Sequence, residues 1–163
     1  MNILLIVLAV VLIWRIAAGM KKGVVREALS LVNVLFVALV VGLVTIIFNA
    51  YHAENYFGIV LMIIAIAALS IIYSIIKLVF FPAKVITKLP VVSGVDKLLG
   101  LVIGVAEALI AYWALCCVLM YMDLGVWSEQ LTMMIGESRL LTALYQYNLL
   151  GVLFEMIKAK IVL

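Results

Sequence analysis

The chain has 163 residues, of which 70% are hydrophobic and only 12% are charged, and its mean hydropathy is +1.43. Soluble domains contain roughly 45–50% apolar and about 25% charged residues, so this composition excludes an ordinary water-soluble fold. The formal net charge of +3 comes from cations that lie beside apolar runs, which indicates contact with anionic lipid headgroups rather than with nucleic acid. A helix crosses a bilayer with about 20 apolar residues, so a chain of this length has room for four or five crossings.

Four apolar runs predict an all-α integral membrane bundle. The predicted transmembrane helices lie at about 2–18, 25–48, 58–81 and 98–122. Together they form one four-helix membrane domain, 1–122. Arg15 stands near the end of the first helix, where its long side chain is expected to reach toward the membrane interface. Asn49 marks the expected end of the second helix, and Pro82 marks that of the third.

Two further segments contain more charge. The connection from Pro82 to Lys97 alternates lysines with apolar residues, which is typical of a segment that lies in the interface. The tail, 123–163, repeats apolar residues at spacings of three and four, which predicts an amphipathic helix lying on the membrane. The alternative is a fifth transmembrane helix at 140–157, since Glu155 is the only charged residue in that run.

The distribution of lysine and arginine predicts the orientation. Eight of the 11 cations flank the first and third connections between helices: Arg15, Lys21, Lys22, Arg26, Lys77, Lys84, Lys88 and Lys97. The second connection, 49–57, has no lysine or arginine. The positive-inside rule therefore places both basic connections in the cytoplasm, and the N-terminus and the C-terminal tail outside.

Glu107 is the only acidic residue well inside a predicted transmembrane helix. It follows Lys97 by ten residues, which at about 1.5 Å per residue places it roughly 15 Å deep. A charge at that depth costs on the order of 3 kcal/mol on insertion scales, so the side chain is expected to face protein or water. One interpretation is a proton or ion relay, and the other is a structural pair with a cation such as Arg15 or Lys77.

Small residues also follow a helical spacing. Gly100, Gly104 and Ala108 form a stripe on which another helix can approach closely, either within the chain or in a second copy. Gly19 and Gly23 share the spacing, but there the expectation is a break between the first two helices.

The sequence contains no recognisable catalytic apparatus. It has no Gly-rich phosphate loop, no His/Cys/carboxylate cluster and no nucleophile with a plausible base. His52 is the single histidine and is expected in a solvated loop, whereas the adjacent Cys116 and Cys117 are expected to pack or to face lipid. We therefore expect no catalytic residues, no metal site, no cofactor and no enzymatic activity.

Two segments carry a family resemblance. Residues 22–31 read Lys-Gly-Val-Val-Arg-Glu-Ala-Leu-Ser-Leu, and residues 92–104 read Val-Ser-Gly-Val-Asp-Lys-Leu-Leu-Gly-Leu-Val-Ile-Gly. They resemble the colicin V production protein (CvpA) family, in which an Arg/Lys-Gly segment precedes an Arg-Glu pair at the second helix and Gly-x-Asp-Arg/Lys-x-x-Gly-x-x-x-Gly opens the fourth. The resemblance covers roughly 1–145. The site residues that it implies are Gly23, Arg26, Glu27, Gly94, Asp96, Lys97, Gly100 and Gly104.

The resemblance implies a protein of the bacterial inner membrane that takes part in producing or exporting a peptide toxin and in maintaining the envelope. The expected role is that of a non-enzymatic accessory protein. Its expected partners are anionic lipid headgroups and either another membrane protein or a second copy that docks at Gly100 and Gly104. The alternative function is a small oligomeric channel or transporter subunit with Glu107 in a polar pathway.

Overall fold

The computed structural model describes residues 2–52, 56–86, 94–122 and 124–161. These residues form helices and include no strand, so the prediction of an all-α membrane bundle is confirmed. The helices are α1 (Ile3–Lys22), α2 (Val24–His52), α3 (Tyr56–Ile86), α4 (Gly94–Tyr121), α5 (Val126–Gly136), α6 (Arg139–Gln146) and α7 (Leu149–Ile161). Within the described ranges, five stretches are long and apolar enough to cross a membrane: Ile3–Lys22, Arg26–Phe48, Tyr56–Leu78, Gly94–Tyr121 and Arg139–Ala159.

Helix α4 is the centre of the bundle, because α1 and α2 both pack along it. Helix α3 packs mainly on α2 and lies at the edge of the bundle, with apolar side chains such as Ile71 and Leu78 exposed. A soluble protein would bury such residues, but here they can face the hydrocarbon of the bilayer.

Helices α1 and α4 run antiparallel and approach each other at glycines. A Cβ atom added to Gly19 would overlap the carbonyl group of Gly100, and one added to Gly104 would lie 2.6 Å from the carbonyl oxygen of Arg15. Gly100 and Gly104 therefore pack against α1 of the same chain. The expectation that Gly19 breaks the chain is wrong, since Gly19 lies inside α1, and the break comes at Gly23, whose φ of 76° is left-handed.

Helix α3 does not end at Pro82, as predicted, but continues one further turn to Ile86. Proline is tolerated within membrane helices because local adjustments and neighbouring groups can satisfy the backbone groups that it frees. The predicted interfacial segment is thereby shortened, and its central part, 87–93 with Pro90, lies outside the described residues, as do the side chains of His52, Lys84 and Lys88.

The tail forms three helices rather than the single amphipathic helix predicted. Ser138 caps the start of α6 by accepting a hydrogen bond from the backbone N–H of Leu141 at 3.4 Å. Asn148 does the same for α7 by accepting from the N–H of Gly151 at 2.9 Å. Serine and asparagine compete with the helical backbone for such bonds, so they interrupt an otherwise periodic run.

The tail packs against the second half of α4. The hydroxyl of Tyr112 donates to the carbonyl oxygen of Leu141 at 2.9 Å, and the hydroxyl of Tyr121 donates to Glu155 at 2.9 Å. Tyr112 and Tyr121 lie about 14 Å apart along α4. The alternative of a fifth transmembrane helix at 140–157 stays a prediction, and the stretch Arg139–Ala159 is long and apolar enough for it.

Two apolar cores lie on either side of the second half of α4. One contains Cys117 with Phe154 of α7, whose ring occupies the space that a side chain at position 42 would need. The other contains Cys116 with Leu4 and Leu8 of α1. Both cysteines are fully buried, so they pack within the protein rather than face lipid.

The contact between α1 and α4 can be tested by Gly100→Leu. The new side chain would force α1 away from α4, and overpacking of this kind costs typically about 1–3 kcal/mol. We expect a matching fall in the free energy of unfolding, measured by detergent titration. Gly136→Leu is the matched control, because a Cβ there meets nothing within 4 Å. Equal losses in the two variants would contradict the proposed close contact.

Candidate functional site: a buried charge cluster between three helices

The two sequence motifs meet in space at the turn between α1 and α2. The backbone N–H of Val24, at the start of α2, donates to Oδ1 of Asp96 at 2.8 Å. Asp96 lies in the first turn of α4, and its carboxylate fills the space that a side chain at position 23 would need. The N-terminus of a helix has unpaired N–H groups and a partial positive charge, so one aspartate stabilises the starts of two helices.

Arg15 lies between α2 and α4 instead of reaching the membrane interface as predicted. Its side chain is only 11% exposed, and its Nη2 atom lies 3.1 Å from Oε1 of Glu27 and in ion-pair contact with Oε2 of Glu107. The same nitrogen donates a hydrogen bond to the hydroxyl of Ser30 at 3.0 Å. Arg15 thus joins three helices through one guanidinium group.

The cluster is balanced in charge only when a second cation is counted. The side chains of Glu27 and Glu107 are 0% and 1% exposed. The Nζ atom of Lys22 lies 3.7 Å from Oε2 of Glu27, and this lysine is 43% exposed. Two carboxylates therefore face two cations, one of them buried and one at the rim. Burial of an unpaired charge costs several kcal/mol, so each member depends on the others.

The structure supplies a partner for Glu107. Of the two cations considered from the sequence, Arg15 is in contact with it, whereas Lys77 lies over the ring of Tyr73, 5.6 Å from the ring centroid. The carboxylate oxygens of Glu107 and Glu27 have no hydrogen-bond partner among the described residues. Ion pairing therefore compensates their burial in this part of the chain, with Arg15 for both carboxylates and also with Lys22 for Glu27.

The remaining motif residues surround the cluster without joining it. Gly100 and Gly104 lie where α1 crosses α4 and so set the depth of Arg15. Arg26, Lys97 and Gly94 are exposed at the same end of the bundle. That end thus combines a buried neutral cluster with an exposed cationic surface.

The sequence reasoning missed the role of Ser30 and the pairing of Glu27 with Arg15. A signal was present, because Arg15 and Lys22 are two helical turns apart on one face of α1, and Glu27 and Ser30 are one turn apart on α2. Two faces with complementary polar groups in adjacent apolar helices indicate an interhelical contact. Spacing could not select Arg15 over Lys77 as the partner of Glu107, since it gives no information about which helices are neighbours.

The arrangement suits charge pairing more than metal binding. No group of three His, Cys, Asp or Glu side chains in the described parts of the chain is placed to hold a metal ion.

The shared role of Arg15 can be tested by Arg15→Gln. This change leaves the buried carboxylate of Glu107 without a cation and that of Glu27 with only Lys22 at the rim, which is expected to cost about 3–5 kcal/mol of unfolding free energy. Adding Glu107→Gln to that variant removes one of the two charges and should recover part of the loss. Detergent titration followed by tryptophan fluorescence measures both effects.

The matched control is Arg26→Gln, an exposed arginine at the same end of the bundle, for which a change within about 0.5 kcal/mol is expected. If Arg15→Gln behaves like this control, or if Glu107→Gln lowers stability further in the Arg15 variant, the two residues do not form the pair described.

Comparison with known proteins identifies a family. A family model described as colicin V production protein matches residues 4–148. No curated protein sequence and no solved structure matches the chain significantly.

Proposed function

The chain belongs to the colicin V production protein family, which suggests a role in colicin V production, and we propose that it acts there as a non-enzymatic accessory protein of the bacterial inner membrane. The proposal includes a part in maintaining the cell envelope. The observation that carries it is the cluster of Arg15, Glu27 and Glu107, which holds three helices together and leaves a cationic surface exposed beside it.

The two motifs that mark the family are used to build one end of the bundle. Asp96 holds the turn at Gly23, and Glu27 binds the arginine that also reaches α4. Residues placed in this way support a scaffold, since they fix helices relative to one another. Membrane helices are commonly joined by such small-residue and polar contacts.

The exposed cations supply the surface that a partner would bind. Lys21, Arg26 and Lys97 are exposed at the end where α1 finishes and where α2 and α4 begin. We propose that this end faces the cytoplasm, following the positive-inside rule, with the N-terminus and the tail outside. A fixed cationic surface there suits anionic lipid headgroups or an acidic segment of another membrane protein.

The competing proposal, a channel or transporter subunit, places Glu107 in a polar pathway. In the structure Glu107 is 1% exposed and contacts Arg15, so its charge already has a structural use. We therefore favour the accessory role.

The cationic surface can be tested by replacing Lys21, Arg26 and Lys97 together with Gln. In a strain that lacks this gene and produces a colicin V-type peptide, we expect the variant to restore secretion at least about fivefold less well than wild type. The physical reason is that each cation near an anionic surface contributes about 1 kcal/mol.

The matched control replaces Arg139, Lys158 and Lys160, which changes the charge equally in the tail and should leave secretion unchanged. A reporter fused after Gly125 verifies that insertion and orientation are unaltered in both variants. Equal secretion by the two triple variants would show that the basic surface is not required.

The envelope role can be tested by the sensitivity of the deletion strain to detergent and bile salt. We expect wild type to restore resistance fully and Glu107→Gln to restore it less well, because the substitution leaves two cations facing one carboxylate. Minimal inhibitory concentrations measure the difference, with Arg139→Gln, at an exposed position of α6, as the control for a charge change outside the cluster.

A deletion strain of normal resistance would contradict the envelope part of the proposal. Full restoration by Glu107→Gln would instead show that envelope maintenance does not need the buried acid.

A further inference from the structure

A groove of about 400 Å³ lies between α2 and α4, beyond the charge cluster. Its lining residues are Asn33, Val34, Val37, Ala38, Val41, Ala111 and Ala114. On α4 it begins at Ala111, one helical turn after Glu107, and on α2 it begins at Asn33, one turn after Ser30. The small side chains of Ala38, Ala111 and Ala114 leave the space that larger residues would fill.

The groove suits an unbranched apolar chain. It extends along α2 from Asn33 to Val41, about 12 Å at the rise of a helix. Apart from Asn33, every lining residue is valine or alanine. Asn33 is exposed at one end and accepts a hydrogen bond from the hydroxyl of Tyr73.

The cationic side chain of Arg26 lies on the same face of α2 as two residues that line the groove. Arg26, Asn33 and Val37 are spaced by seven and then four residues, so they share one face of α2. All three are exposed. Arg26 is about 10 Å from Asn33 along the helix, toward the end of the bundle that carries the other exposed cations. Along this face of α2, the positive charge of Arg26 therefore comes first, and the apolar groove follows it.

We propose that the groove binds one acyl chain of an anionic phospholipid whose phosphate contacts Arg26. An anionic head followed by an apolar tail matches the order of charge and groove along α2, and the guanidinium fork is suited to phosphate. The site goes beyond the proposed function, because it is a single lipid site within the bundle rather than a general attraction to headgroups. The lipid comes from the leaflet that contains Arg26.

The test is native mass spectrometry of the full chain in a mild detergent, with phosphatidylglycerol or phosphatidylcholine of the same acyl chains added. We expect wild type to retain one phosphatidylglycerol about fivefold better than phosphatidylcholine, the ratio for one cation near an anionic surface. Arg26→Gln should remove this preference. Lys21→Gln should keep it, because Lys21 is exposed two residues after Gly19 and so lies on the side of α1 away from α4.

A second variant tests the groove itself. Ala111→Phe fills it from an exposed position and should reduce the binding of both lipids, whereas Ala68→Phe, on an exposed position of α3 outside the groove, should not. Thermal unfolding verifies that both variants are folded.

Equal retention of the two lipids by wild type would overturn the proposal, as would undiminished binding by Ala111→Phe. A dimer without bound lipid that Ala111→Phe dissociates would assign the groove to a second copy instead. None of these outcomes bears on the secretion assay, so failure of the lipid site and failure of the proposed function remain distinguishable.

Discussion

One guanidinium group shared by two buried carboxylates determines how the first, second and fourth helices are arranged. Arg15 contacts Glu27 and Glu107, and both acids are almost fully buried. Charges in this setting are stabilising only as a complete set, since removal of one leaves another unpaired in a medium of low dielectric constant. The helices must therefore meet at the depth where these three side chains can touch.

The backbone geometry around the cluster follows from that requirement. The helices approach closely beside the charged side chains, and glycines at the contact allow this. Gly19 meets Gly100, and Gly104 lies under the backbone of Arg15. The turn at Gly23 then directs α2 back along α4, and Asp96 holds that turn.

The sequence predicted the helical membrane class and the family, and it singled out residues that the structure brings together. It named Arg15 as one of two possible cations for Glu107 but placed its side chain toward the interface, because a single arginine near a helix end is equally typical of an interfacial residue. It also placed helix ends at Asn49 and Pro82, since the local preference of those residues is to end helices, whereas α2 and α3 continue past them. The sequence did not show which helices pack against each other. The contact of α1 with α4 joins residues far apart in the chain, and no local spacing encodes it.

The order of the contacts along the chain has a consequence for biogenesis. A ribosome delivers α1 and α2 to the membrane first, so Arg15 can pair with Glu27 as soon as that hairpin forms, in accord with their closeness in sequence. Glu107 follows only after another eighty residues have been synthesised. During that interval Arg15 and Lys22 would face only one carboxylate, that of Glu27, so the hairpin would carry a net positive charge. Such a charge would attract the carboxylate of Glu107 when the fourth helix enters the membrane.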